Sequence, residues 1–104
     1  MSNDDGAVKQ APMPALWHLY LIECADGSLY AGISTDVARR YQQHCAGKGA
    51  KYTRSRPPLR LLGSQPCGDR SAALKAEYAI RRLNRGQKLA YFAAPALRVL
   101  GREE

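Results

Sequence analysis

Cysteine is scarce. Cys24, Cys45 and Cys67 are the three in 104 residues, they form no C-x-x-C pair, and no hydrophobic leader precedes them. That pattern argues against a disulfide framework and against secretion, so the expected compartment is the reduced cytoplasm. Structural zinc finds no support either, because His44 and Cys45 are adjacent and His18 has no partner at ligand spacing. No apolar run approaches the ~20 residues of a membrane span, so no membrane partner is expected. Trp and Phe occur once each against six Tyr, yet hydrophobic residues make up 45% of the chain. That is enough apolar content for a folded globule rather than a disordered segment, and the length suits one domain rather than two.

Acidic residues are also in short supply: nine Asp and Glu stand against sixteen Lys and Arg, for a net charge of +7. Eleven of the sixteen are Arg, whose planar fork matches phosphate oxygens. Residues 34–60 hold seven basic residues and one acidic one, and residues 70–88 hold six and one. A polyanion, nucleic acid, fits that clustering better than an evenly solvated basic surface.

Residues 1–15 mix Ser, Asn, Asp, Gly and Pro without periodicity and read as a flexible tail; residues 16–96 form the expected domain and 97–104 a C-terminal tail. Trp17 to Cys24 and Ser28 to Ile33 are short aliphatic and aromatic runs around Ala25-Asp26-Gly27, a hairpin signature. Ser34 or Thr35 can cap a helix on which Val37, Arg40, Tyr41 and His44 recur until Gly47 and Gly49. Lys48 to Pro58 reads as a basic loop before a third strand, Leu59 to Ser64. Asp69 can cap a helix over residues 70–83, and Asn84 with Gln87 resembles a capping box that opens a last helix, ending near Pro95. The expected fold is α+β, a small three-stranded antiparallel sheet flanked by helices in the order β-β-α-β-α-α.

Among the nine acidic residues, Glu77 alone is mid-helix between apolar neighbours; the rest lie in tails, a turn, helix starts or near the hairpin. It suits a metal-holding carboxylate for phosphodiester hydrolysis, but also an ordinary i,i+4 ion pair with Arg81. Arg40 and His44 lie four apart on one helical face and can present a guanidinium and an imidazole to one phosphate, or form a solvated edge.

Taken together, the motifs are more informative. His18-Leu19-Tyr20, Tyr30-Ala31-Gly32, the run from Ser34 through Arg40 to His44, Gly47 to Thr53, and Ala76-Glu77-Tyr78 follow one another in the order found in the GIY-YIG nucleases. The chain resembles that family over residues 17–92, and the run from Arg39 to Thr53 is most similar to its small stand-alone bacterial YhbQ-like group. It is similar, too, to the catalytic subunit of structure-specific resolvases. His18 and Leu19 replace Gly-Ile, and Ala31 replaces Ile; neither change removes a reactive atom.

The resemblance implies a divalent-metal-dependent DNA endonuclease, structure-selective in repair or recombination, using Mg²⁺ or Mn²⁺. It implies Tyr20 and Tyr30 as paired tyrosines, Arg40 as the essential arginine, His44 as an auxiliary, and Glu77 as the metal ligand. Lys48, Lys51, Tyr52, Arg54 and Arg56 are the expected nucleic-acid contacts, with Tyr52 placed to stack on a base. DNA is the expected partner, with RNA left open. The competing readings are a nucleic-acid-binding module and a nuclease subunit that needs a partner protein for targeting.

Strand parity sharpens the site. A two-residue turn would put Tyr20 and Tyr30 on opposite faces, whereas a three-residue Ala25 to Gly27 loop with Gly27 left-handed pairs Tyr20 with Gly32 and puts both rings on one face. The bulged loop is expected. A tyrosine serving as base at neutral pH would also need its pKa depressed by ~3 units from about 10.

Overall fold

A computed structural model of the chain describes residues 15–102. The expected N-terminal tail, apart from Ala15, lies outside the described residues, as do Glu103 and Glu104. The elements are β1 (Trp17–Cys24), β2 (Leu29–Ser34), α1 (Val37–Cys45), α2 (Lys51–Ser55), β3 (Pro58–Gly68), α3 (Arg70–Arg81) and α4 (Arg85–Arg102). The three strands form one antiparallel sheet in the order β2-β1-β3. The architecture is the expected α+β one, with the short α2 added inside the basic loop.

The hairpin carries the bulged loop. Gly27 N–H donates to the Cys24 carbonyl at 2.9 Å, Cys24 N–H donates to the Ser28 carbonyl at 2.8 Å, and Gly27 has φ +86°. Only a residue without Cβ adopts that φ at little cost. The register that follows pairs Tyr20 with Gly32 and Ile22 with Tyr30, so both tyrosines stand on one face.

Local chemistry at the helix ends accounts for the boundaries. Asp36, rather than Ser34 or Thr35, caps α1: its carboxylate accepts from Arg39 N–H at 3.1 Å, and the Ser34 hydroxyl accepts from Asp36 N–H at 2.9 Å. The helix stops in a glycine cap, with Lys48 N–H on the Gln43 carbonyl, Gly47 N–H on that of His44, and Gly47 at φ +76°. Asp69 caps α3 through Ala72 N–H at 2.8 Å. Asn84 and Gln87 exchange reciprocal bonds of 3.0 and 2.9 Å, the capping box that opens α4.

Two boundaries differ from expectation. Strand β3 runs on to Gly68, its Pro66 tolerated because β3 is an edge strand. Helix α4 continues past Pro95 to Arg102, where a stop and a tail were expected. Proline frees the carbonyl four residues before it. Here that carbonyl is Tyr91 O, and Gln65 Nε2 donates to it at 3.1 Å.

Central strand β1 is covered on both faces, which explains its near-continuous apolar run. Leu19 and Leu21 join Ala31 and Ile80 in one core, with Leu29, Ile33, Leu62, Ala76, Leu83 and Phe92 against it. Tyr20, Ile22 and Cys24 form the other with Tyr30, Val37, Tyr41 and Tyr52. Helices α3 and α4 thus contribute to the aliphatic face, and α1 and α2 to a tyrosine-rich one.

Tyr20 fits because Gly32 has no side chain: a Cβ there would lie 2.6 Å from Tyr20 Cζ and closer still to its hydroxyl. Tyr20 is buried, so the ring has nowhere to retreat. Gly32→Ala should therefore cost about 1–3 kcal/mol in urea unfolding. Gly27→Ala, which meets nothing within 4 Å but keeps the positive φ, should cost about 1 kcal/mol. A Gly32→Ala protein as stable as wild type would contradict the packing of Tyr20 over Gly32.

Candidate active site

His44 is the buried centre of the tyrosine face, with no exposed surface. Its Nδ1 lies 2.6 Å from Thr53 Oγ1, and its Nε2 lies 2.9 Å from the Tyr20 hydroxyl. The direction of these bonds follows from their far end. Thr53 Oγ1 donates its one hydrogen to the Ala50 carbonyl at 3.0 Å, so it must accept from His44 Nδ1–H. Nε2 is then bare and accepts from the Tyr20 hydroxyl. Glycine again makes room, since a Cβ at Gly49 would overlap the His44 ring.

Burial of this chain moves both titrating groups away from charge. Desolvation pushes Tyr20 up to about 12, the neighbouring Tyr30 adds to the rise, and Arg40 partly offsets it; the Glu77 carboxylate adds the smallest upward push. Burial pulls His44 down to about 4, with the Arg40 cation adding to the fall. Tyr20 is thus moved the opposite way from the depression a phenolate base requires. Tyr20 and His44 are a neutral, mutually satisfied pair.

Tyr30 stands differently. It is half-buried, its ring 6.5 Å from that of Tyr20 and edge-on to His44 at 5.3 Å, and it stacks on Tyr52 at 5.7 Å with 28° between planes. Arg40 is half-buried, its Nη1 donating to Gln43 Oε1 at 2.9 Å. Tyr20, Tyr30, Arg40 and His44 therefore converge on one face.

Glu77 lies on α3 and is linked to the edge of β2 through Arg81. Its Oε2 lies 3.0 Å from Arg81 Nη2, the i,i+4 ion pair that spacing allowed. The same Nη2 donates to the Ala31 carbonyl of β2 at 2.8 Å, and the guanidinium sits 5.5 Å over the Tyr30 ring. The sequence marks Arg81 only as an ion-pair partner of Glu77; its bonds to β2 and Tyr30 depend on strand placement. Thr53 carries no signal in the sequence beyond its place within the motif run Gly47 to Thr53.

Helix α2 organises the basic segment. It turns Thr53 inward to His44 and Tyr52 under Tyr30, while Lys48, Lys51 and Arg54 remain exposed. Arg56 lies 4.3 Å over the Tyr52 ring and 3.4 Å from Asp26. The segment is a basic rim beside the tyrosine face, half of it structural.

A His44 held near 4 makes folding pH-dependent. The unfolded chain takes up a proton near pH ~6.5 that the folded chain refuses until about 4, so stability falls as pH is lowered through that window. Glu23, held low by Arg60, and Asp26, held low by Ser28, act only nearer pH 4. Between pH 6.5 and 5 the wild type should lose about 1.5 kcal/mol, and His44→Gln should lose most of that slope. Equal slopes in urea titrations of the two proteins would refute a buried neutral His44.

Comparison with known proteins identifies the family. Residues 16–90 match the family described as the GIY-YIG catalytic domain. A UPF0213 protein of Cupriavidus pinatubonensis is 61% identical over 77 residues, spanning 74% of this chain and 86% of that one. The UPF0213 protein YhbQ of Escherichia coli is 58% identical over 72 residues, 69% of this chain and 72% of that one. The solution NMR structure of the protein EF2693 from E. faecalis superposes with a TM-score of 0.56 at 39% identity, covering 79% and 88% of the two chains. The chain belongs to the GIY-YIG nuclease family, in its YhbQ-like UPF0213 group.

Proposed function

We propose that this protein is a divalent-metal-dependent DNA endonuclease whose active site comprises Tyr20, Tyr30, Arg40, His44 and Glu77. The observation that carries the reading is the convergence of two tyrosines, Arg40 and His44 on one sheet face, with Glu77 tied to the adjoining edge of β2 through Arg81.

Glu77 would hold the metal. Its carboxylate is a hard oxygen donor suited to Mg²⁺ or Mn²⁺, and its side chain keeps 17% exposure. Among the described residues no group of three His, Cys, Asp or Glu converges, so most coordination positions would fall to water and phosphate oxygens. When bound, a divalent cation neutralises charge on the phosphate and acidifies water. Arg81 occupies Glu77 Oε2, orients the carboxylate and offsets its charge. Affinity for metal without nucleic acid should be weak on both counts.

The chain's own groups divide the remaining work. Tyr30, the less buried of the paired tyrosines, orients the attacking water through its hydroxyl. Tyr20, sealed beneath it, fixes His44 and gives the site a rigid floor. Arg40 stabilises the charge that develops on the phosphoryl oxygens. Lys48, Lys51 and Arg54 track the backbone of the DNA, with Arg56 and Tyr52 at the inner end of that rim. Three unpaired cysteines support a reduced cytoplasmic setting.

Cleavage of labelled duplex, single-stranded, flap and junction DNA with Mg²⁺ or Mn²⁺ tests the reading. Glu77→Ala and Arg40→Ala should each lower the rate by about 10²-fold or more, and a chelator should abolish it. Binding that persists without mutation-sensitive cleavage would instead make the protein a nucleic-acid-binding module or a partner-dependent subunit. In a separate titration, tight stoichiometric Mn²⁺ binding by the free protein would contradict the single-carboxylate site.

A further inference from the structure

Beside the Tyr30–Tyr52 stack lies a cleft of about 360 Å³, lined by Leu29, Tyr30, Ala31, Tyr52, Arg81 and Lys88. Its size falls within the roughly 300–1,000 Å³ of small-molecule sites. It sits against the edge of β2, between Tyr52 of α2 on one side and Arg81 of α3 with Lys88 of α4 on the other. Two aromatic rings, a leucine and an alanine supply its apolar lining; both charged residues are cationic, and no acidic side chain lines it.

The backbone adds polarity to this edge. Because Cys24 N–H bonds to the Ser28 carbonyl, Cys24 and Ser28 form a hydrogen-bonded pair, and alternation along the antiparallel ladder makes Ile22–Tyr30 another. Leu29 and Ala31, on the intervening positions, turn their N–H and C=O groups away from β1 toward the free edge. Arg81 takes the Ala31 carbonyl. The Ala31 N–H and both Leu29 backbone groups face the edge beside the cleft.

We propose that this cleft binds a nucleobase: one unpaired base of the strand being cut, seated against Tyr30 and Tyr52, with its flanking phosphate on Lys88 and Arg81. Each part of the ligand has a counterpart. The flat faces meet tyrosine and leucine, the hydrogen-bonding edge meets the edge-facing backbone groups of Leu29 and the Ala31 N–H, and the anion meets two cations. A base stacked within intact duplex exposes only its edges, so a duplex must open, or carry an unpaired nucleotide, to fill the cleft. The proposal rests on the nuclease reading for the location of the scissile phosphate beside Tyr30, but base binding itself needs neither metal nor cleavage.

The test uses the full-length protein, ¹⁵N-labelled and free of divalent metal, titrated with dAMP and separately with 2-deoxyribose 5-phosphate. dAMP should shift the amides of Leu29, Ala31, Tyr52 and Lys88 saturably, and the sugar phosphate should leave Leu29 and Ala31 in place. Tyr52→Leu should weaken dAMP binding by about tenfold, Tyr52→Phe should retain it, and Lys88→Glu should weaken both ligands. Equal effects of the two ligands at Leu29 and Ala31, or dAMP shifts confined to the exposed basic residues Lys48, Lys51 and Arg54, would overturn the proposal. If Tyr52→Leu fails to fold, the Lys88→Glu protein and the comparison of ligands decide. The two readings fail separately: DNA cleavage with no dAMP response in the cleft sinks the base site alone, and a dAMP response without cleavage of any DNA sinks the nuclease alone.

Discussion

The bond from the Tyr20 hydroxyl to His44 Nε2 ties together the hairpin, α1 and, through Thr53, α2. It exists because of a chain of local constraints. Gly27 allows the three-residue loop, the loop sets Tyr20 opposite Gly32, and the missing Cβ at Gly32 lets the ring reach across to His44. Thr53 and the Ala50 carbonyl then fix which imidazole nitrogen is bare. A buried polar group left without a partner costs about 1–3 kcal/mol. Tyr20, His44 and Thr53 are all buried, so a half-formed chain is worse than none. The three elements are held in register by that cooperative requirement rather than by apolar area alone.

The same cooperativity bears on Glu77. On an exposed helix, an i,i+4 pair contributes about 0.2–0.5 kcal/mol and explains itself. Arg81, however, also bonds the Ala31 carbonyl and covers Tyr30, which fastens α3 to the free edge of β2. The ion pair is therefore not a competitor to the site reading. It sets the position of the carboxylate and draws on its charge, and the proposed role of Glu77 as a metal ligand depends on both effects.

Much of this was legible in the residues, where the determinants are local. The bulged hairpin, the Asp69 cap and the Asn84–Gln87 capping box are each written within four or five positions, and each occurs as expected. What was not legible depends on distant partners. Helix α2 spans five residues between glycines and prolines, too few for periodicity to register, and is held by Thr53 on His44. The passage of α4 through Pro95 requires a donor from Gln65, about thirty positions earlier. The direction of the Tyr20 shift could not be read either, because it follows from burial rather than from residue type.

An oddity of composition finds its explanation at the same place. Six tyrosines against one phenylalanine and one tryptophan is an unusual balance for so small a core. Four of the six, Tyr20, Tyr30, Tyr41 and Tyr52, belong to the face covered by α1 and α2, while Phe92 packs on the other. A domain of this size cannot devote separate regions to stability and to chemistry. Tyrosine serves both, since its ring fills volume as phenylalanine would and its hydroxyl carries a polar atom through the packed layer. The aliphatic face holds the sheet together, and the tyrosine face fills the other side of it while carrying hydroxyls, an imidazole and a guanidinium into the packed layer.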